Sequence, residues 1–211
     1  MAVGNDIVDL GSPHVTGKSR DEKFLRRVLT PEEQEAVLQS ADPDVLLQVY
    51  WTAREAAYKA IARSNPTVSS APRRYRVFLD DPEEESAFTG HVRTPAETVF
   101  IRGYRNREYV HCLGAVSFAD VEKIHCGVGK ALLKAGPDYC RSSAAVSRAA
   151  RTLAKEKIAA ILPVPVGHIL IKKSPLRNGV SFPEIFINKK KINIPISLSH
   201  DGRFVAFAMV F

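Results

Sequence analysis

The chain contains no apolar run long enough to cross a bilayer, which sets aside a membrane-spanning helix. Cysteine is scarce. Cys112, Cys126 and Cys140 are odd in number and lack C-x-x-C spacing, so free thiols are expected rather than a disulfide framework or a zinc site. The opening stretch MAVGNDIVDL holds an acid where an export signal needs a basic and then an apolar segment. No export signal is therefore expected, and the expected location is cytoplasmic. A strict short-period repeat is also missing, which sets aside a solenoid. Nor does the adjacent run Ser199-His200-Asp201 supply a hydrolytic triad, because neighbouring side chains on a strand point to opposite faces.

What is present describes a globular protein. The 211 residues suffice for one large domain or two small ones. A chain of this size buries about 70% of its unfolded surface and needs no covalent staples. Lys plus Arg number 30 against 23 Asp plus Glu, a net charge of +7, which suits an acidic partner: nucleic acid, an anionic membrane, a phosphorylated ligand or an acidic protein.

Residues 2–10 read as an opening strand with Asp6 among Val3, Ile7 and Val8, a position that demands a partner or a metal. Residues 21–29 carry a short basic amphipathic helix, and Thr30-Pro31-Glu32-Glu33 is a capping box starting a second helix. A long helix is bounded by Asp42-Pro43 and Asn65-Pro66. The period then changes to two over residues 74–79, 87–92, 98–104 and 108–118, an antiparallel meander with an acidic hairpin loop at residues 80–85. Residues 119–141 have weak periodicity and read as a connector with one short helix. A basic helix follows at residues 143–162, then strands at 168–172, 182–188, 194–199 and 203–210, with Lys189-Lys190-Lys191 as an exposed turn.

The two halves share a plan. REYVHCLGAVSF parallels ISLSHDGRFVAFAMVF, with His111 and His200 loosely corresponding. The expected fold is α+β: two similar modules, each a long helix plus an antiparallel meander, related by a pseudo-twofold. Residues 1–118 form the first module, residues 119–141 the connector and residues 142–211 the second, with a site between them.

Within the long helix, Trp51, Glu55 and Lys59 recur every four residues and share a stripe. Ala53, Ala56, Ala57 and Ala60 flank it and permit close approach of another backbone. That arrangement suits a carboxylate and an ammonium held rigidly in a cleft, although an ordinary solvated Glu–Lys pair has the same spacing.

Three motifs together resemble the 4′-phosphopantetheinyl transferase superfamily: Gly4-Asn5-Asp6-Ile7 on the first strand, Trp51-Thr52-Ala53-Arg54-Glu55-Ala56-Ala57-Tyr58-Lys59 on the long helix, and Leu198-Ser199-His200 on a late strand. Their order is similar to that of the small holo-acyl-carrier-protein synthases, as is KFLRRVLTPEE; the length resembles the larger two-module transferases. The resemblance implies Mg²⁺-dependent transfer of phosphopantetheine from coenzyme A to a serine of an apo carrier protein, releasing adenosine 3′,5′-bisphosphate. It implies Asp6 and Glu55 as metal ligands, and Glu55 and Lys59 as catalytic residues, Lys59 steadying the leaving phosphate. Arg148, Arg151, Ser199 and His200 would bind the coenzyme A phosphates. The basic cluster of Lys18, Arg20, Lys23, Arg26 and Arg27 would dock an acidic carrier protein. A monomer is expected, with no nucleic-acid or membrane partner.

The sequence departs from the larger transferases in three places. Val8 stands where they carry a further acid, and Asp9 points to the other strand face. Asn178-Gly179-Val180 replaces a Gly-Lys-Pro turn, leaving Lys172, Lys173 or Arg177 as substitutes, and Asp201 follows His200 in place of a small hydroxyl residue. Two alternatives stay open: a non-catalytic relative binding coenzyme A or a carrier protein, and a basic nucleic-acid-binding module.

Overall fold

The computed structural model describes residues 2–80, 86–131, 143–174 and 181–211. The hairpin loop at residues 81–85, the connector beyond residue 131 and the turn Asn178-Gly179-Val180 with Arg177 lie outside these residues, as does Cys140.

Strand β1 (Val3–Asp9) opens the fold and is buried throughout. Helix α1 (Glu22–Val28) is capped by the Asp21 carboxylate, which accepts from Phe24 N–H. Helix α2 (Pro31–Gln39) starts with both reciprocal bonds of the Thr30/Glu33 capping box. Helix α3 (Pro43–Ser64) begins where the Asp42 side chain accepts from Val45 N–H, and it ends before Asn65-Pro66. Strands β2 (Arg76–Leu79), β3 (Ala87–Arg93), β4 (Thr98–Arg105) and β5 (Tyr109–Ala115) form the meander. β5 returns to pair with β1, giving a five-stranded antiparallel sheet of order β1-β5-β4-β3-β2.

The alanine side of α3 seats this sheet. Ala53, Ala56, Ala57 and Ala60 are fully buried. A Cβ added at Gly4 would lie 1.9 Å from the Ala56 carbonyl oxygen, so the glycine of the first motif is required by helix–strand contact. Small residues on both elements bring α3 close enough to β1 for their polar side chains to meet.

Helix α4 (Phe118–Glu122) is the short helix expected in the connector, but the next residues depart from expectation: His125–Lys130 form strand β6. Its weak periodicity has a steric cause. A Cβ at Gly127 would fall 2.7 Å from the Phe207 ring, and one at Gly129 would press on Leu153 at 3.3 Å, so glycines stand where apolar side chains would have marked a strand. Helix α5 (Ser143–Ile161) and strands β7 (Ile169–Lys173), β8 (Pro183–Ile187), β9 (Lys190–Ile192), β10 (Ile196–Asp201) and β11 (Phe204–Met209) complete the chain. The lysine run only begins as a turn. Asn188 and Lys189 have positive φ, and Lys190 already starts β9.

β10, β11 and β6 form one three-stranded sheet and β7, β8 and β9 another. The β10-β11-β6 sheet packs on the face of the first sheet opposite α3. Ile7 meets Phe204 and Ala206, while Val3 meets Ala208 and Val210. α5 covers its other side through Val146, Ala150, Ala154 and Ile158, against Val205, Phe207 and Ile196. His111 and His200 are not equivalent: His111 is on β5, paired with β1, whereas His200 is on β10, which pairs with β11 and not with β6.

Candidate active site

β1 has β5 on one side and, among the described residues, no strand on the other. Its outward N–H groups are taken by side chains of β10. Ser197 Oγ accepts from Asn5 N–H at 3.1 Å, Ser199 Oγ from Ile7 N–H at 3.1 Å, and Asp201 Oδ2 from Asp9 N–H at 2.8 Å. The period of two that puts these three on one strand face thus matches the spacing of the N–H groups they satisfy. Asp201, expected as a departure near a phosphate, has a structural partner. Asp9 is also engaged. It accepts from Gly11 N–H and from the Arg203 backbone and guanidinium, at 2.7–2.9 Å. Burial alone would raise its carboxyl, but the Arg203 and Gly11 bonds outweigh that and hold it below the usual range.

On the other face of β1, Asp6 points toward α3. Lys59 Nζ donates to Asp6 Oδ1 at 2.7 Å and to the Asn5 carbonyl at 3.0 Å. Ser199 Oγ donates to the same Asp6 oxygen at 2.9 Å. The acid in an apolar strand therefore has its partner, a lysine 53 residues away. Glu55, one turn before Lys59, is half-buried, and its carboxylate makes no hydrogen bond among the described residues. Burial, and next the negative charge of Asp6, hold its carboxyl above the ordinary value, with Lys59 pulling the other way.

Asp6, Val8, Trp51, Glu55 and His200 line a cleft of about 710 Å³, walled on its far side by Pro13, His14, Lys18, Asp21 and Phe24. His200 is at the exposed rim. Partial desolvation of its ring, then the Lys59 ammonium, keep the imidazole below its ordinary value, against the pull of Asp201 and Asp6. His14 Nε2 is 3.6 Å from Asp201 Oδ2. Behind the cleft, His111 is fully buried and pushed down to about 3, first by burial and then by Lys59. It is therefore neutral at pH 7 and lies 3.2 Å from the Asn5 amide nitrogen.

The structure thus brings together Asp6, Glu55, Lys59, Ser199 and His200. Ser199 differs from expectation in one respect: its hydroxyl is turned inward to Asp6 and Ile7 and is 4% exposed, so that oxygen is already engaged. Arg148 and Arg151 do not line this cleft. Arg148 is exposed on α5, and Arg151 donates to Ser147 Oγ and its carbonyl. Arg54, adjacent to Glu55 in the second motif, faces away from the cleft and is 2% exposed, paired with Glu33. Arg20, Lys23, Arg26 and Arg27 are exposed; Arg26 is paired with Glu22, and Arg27 lies over the Phe24 ring.

Sequence reasoning missed Gln48, which shares the helical stripe three residues before Trp51 and lines the cleft. Extending the stripe one turn backward would have found it. His14 carried no such signal, because it stands in the turn after β1. Among the described residues no three His, Cys, Asp or Glu side chains gather as a metal cage, and no helix is long and apolar enough to cross a membrane.

Asp6 of β1 and Glu55 and Lys59 of α3 are thus gathered where strand meets helix, the two carboxylates lining the cleft and His200 standing on its rim. The family model of the 4′-phosphopantetheinyl transferase superfamily matches residues 2–113, more than half of the chain, and spans Asp6, Glu55 and Lys59. The chain belongs to this superfamily, and its function is of the phosphopantetheinyl transferase kind. No curated protein matches the chain.

Proposed function

We propose that this chain transfers 4′-phosphopantetheine from coenzyme A to a serine of an acidic apo carrier protein, in a Mg²⁺-dependent reaction that releases adenosine 3′,5′-bisphosphate. The observation carrying this reading is Glu55: a half-buried carboxylate facing Asp6 with no hydrogen-bond partner among the described residues, at the mouth of the cleft.

Two carboxylates and one ammonium leave an excess negative charge at the cleft, which a divalent cation would offset. Mg²⁺ favours one or two carboxylates completed by water and phosphate oxygens, so Asp6 and Glu55 fit it without the further acid that Val8 replaces. Bound there, it would neutralise charge developing on the pyrophosphate. Glu55, its proton affinity raised by burial and Asp6, is suited to take the serine proton. The serine oxygen then bonds the phosphorus attached to pantetheine, and the bond from that phosphorus to the bridging oxygen breaks. Lys59 holds Asp6 in place and puts a positive charge next to the leaving phosphate.

His200 shares a sheet face with α5, because its neighbour across the ladder, Val205, packs on Val146 and Ala150. A nucleotide running from the cleft over β10 would thus approach the helix that carries Arg148 and Arg151. α1, which contributes Phe24 to the cleft wall, presents Arg20, Lys23, Arg26 and Arg27 on and beside it for the acidic carrier protein. The strand orders support two modules. In each, the opening strand (β1 or β6) lies beside the closing strand (β5 or β11), and a long helix follows the opening strand. One chain then supplies both sides of the site, as a monomer.

Incubating the protein with coenzyme A, Mg²⁺ and a set of apo carrier proteins tests the reading. A carrier gaining the mass of phosphopantetheine supports it. No transfer to any carrier, with coenzyme A bound tightly, would favour a non-catalytic relative.

A further inference from the structure

We propose that Ser199 is a positioning residue for Asp6. Its hydroxyl, contributed by the second half of the chain, sets the orientation in which the Asp6 carboxylate meets the cleft. This rests on the reading of Asp6 as a metal-binding carboxylate.

The direction of the bonds follows from the chemistry of the groups. Ser199 Oγ accepts from Ile7 N–H at 3.1 Å, which can only donate. Lys59 Nζ, 3.5 Å away, can also only donate. The single hydroxyl proton therefore goes to the remaining neighbour, Asp6 Oδ1 at 2.9 Å. Lys59 donates to that same oxygen at 2.7 Å. Two donors thus converge on Oδ1, and no described residue bonds Oδ2. A carboxylate held by one oxygen from two directions cannot rotate without breaking both bonds, and its second oxygen is left for the cleft. Lys59, itself tied to the Asn5 carbonyl, reaches Oδ1 from one direction only, and a single contact leaves the carboxylate free to turn about it. The hydroxyl of Ser199 sits on a buried strand and is itself oriented by Ile7 N–H.

Ser197 provides an internal control. Two residues earlier on β10, its hydroxyl accepts from Asn5 N–H at the same 3.1 Å and is 5% exposed, but it makes no bond to Asp6. Replacing either serine by alanine removes one contact between β10 and β1; only the Ser199 replacement also frees Asp6.

The test measures Mg²⁺ affinity by titration calorimetry, with and without coenzyme A, and steady-state kinetics, on wild type, Ser199→Ala, Ser199→Thr and Ser197→Ala, with folding checked by circular dichroism. Removing a hydrogen-bond partner of a metal ligand lowers affinity or activity by about 10–100-fold. Ser199→Ala is expected to lose that much in Mg²⁺ affinity and kcat, with the coenzyme A KM within about twofold. Ser199→Thr, which keeps a hydroxyl, should recover most of both, and Ser197→Ala should change neither. A rise in coenzyme A KM alone would place Ser199 on the substrate and overturn the proposal. Equal effects of Ser197→Ala and Ser199→Ala would reduce Ser199 to a structural contact, with the same consequence. Should Ser199→Ala fail to fold while Ser197→Ala folds, Ser199→Thr decides: wild-type folding with weakened Mg²⁺ binding would overturn the assignment. Wild type binding Mg²⁺ but transferring nothing would remove the proposed function and leave Ser199 judged on affinity. Wild type binding no Mg²⁺ under either condition would remove this inference.

Discussion

The Arg54 guanidinium meets the Glu33 carboxylate inside the protein, although Arg54 is the immediate neighbour of Glu55, which faces the cleft. The pair ties α2, α3 and β2 together, along with the Pro72 carbonyl from the stretch between α3 and β2. Glu33 also accepts from Thr30 N–H and from Val77 N–H, and Arg54 donates to the Tyr50 and Pro72 carbonyls. Breaking a buried pair strands a charge. Arg54→Met is therefore expected to cost about 3–5 kcal/mol of stability. Changing Glu33→Gln in the same chain should cost less than the two single losses added, because the stranded charge is gone. Urea unfolding of the single and double variants measures this; a loss under about 1 kcal/mol for Arg54→Met would remove the pair as the anchor of α3.

Glu55 should make the metal-free protein less stable as pH rises. Burial and Asp6 raise its folded-state value above the ordinary 4.5. The folded state then binds the proton more tightly than the unfolded chain, so stability falls as pH climbs from about 4.5 through the raised value and stays lower above it. Glu55→Gln removes this slope. Its stability relative to wild type should grow across that window and then level off, while transfer is nearly abolished. Denaturation midpoints at a series of pH values, without metal, check the sign. An advantage that grew as pH fell would contradict the raised carboxyl.

His200→Ala should raise the coenzyme A KM more than it lowers kcat, because a phosphate contact is largely uniform binding. The free imidazole titrates below its ordinary value, and a bound phosphate would draw it upward. Coenzyme A should therefore bind with proton uptake and more tightly as pH falls toward that value. The alanine variant should lose this dependence. A fall in kcat alone would move His200 into the chemical step.

Docking on α1 predicts a salt response. Attraction between exposed charges is screened over about 8 Å at physiological ionic strength, so carrier-protein KM should climb with salt. Arg26 already shares its charge with Glu22, whereas Arg27 forms no ion pair among the described residues. Arg27→Glu should accordingly raise carrier KM more than Arg26→Glu, by up to about fivefold for the loss of one exposed attraction. Insensitivity to salt and to both reversals would send docking to another surface.

The monomer reading predicts no rescue between damaged chains. Glu55 and His200 line one cleft within a single chain. Mixing inactive Glu55→Gln with a crippled His200→Ala should recover nothing beyond the activity of each alone. Substantial recovery would require sites assembled between chains.

Local spacing was sufficient for much of this protein. Residues four apart on a helix share a stripe whatever surrounds them, so Glu55 and Lys59 were legible beside Trp51, and the Thr30/Glu33 box and the Asp42 cap marked their helices. Alternation on a strand likewise placed Ser197, Ser199 and Asp201 on one face and His200 on the other. What those faces meet was decided only by the tertiary structure. Asp6 and Ser199 are 193 residues apart, and no periodicity carries information across that distance. Spacing put Arg54 next to Glu55, and packing turned it away to Glu33. It hid β6 as well, because Gly127, required by the Phe207 ring, and Gly129, close against Leu153, erased the apolar alternation of a strand. The sequence by itself determined which side chains travel together on each element; the packing of α3 and β10 against β1 determined which of them became partners, since hydrogen bonds and burial depend on distances that only the folded chain sets.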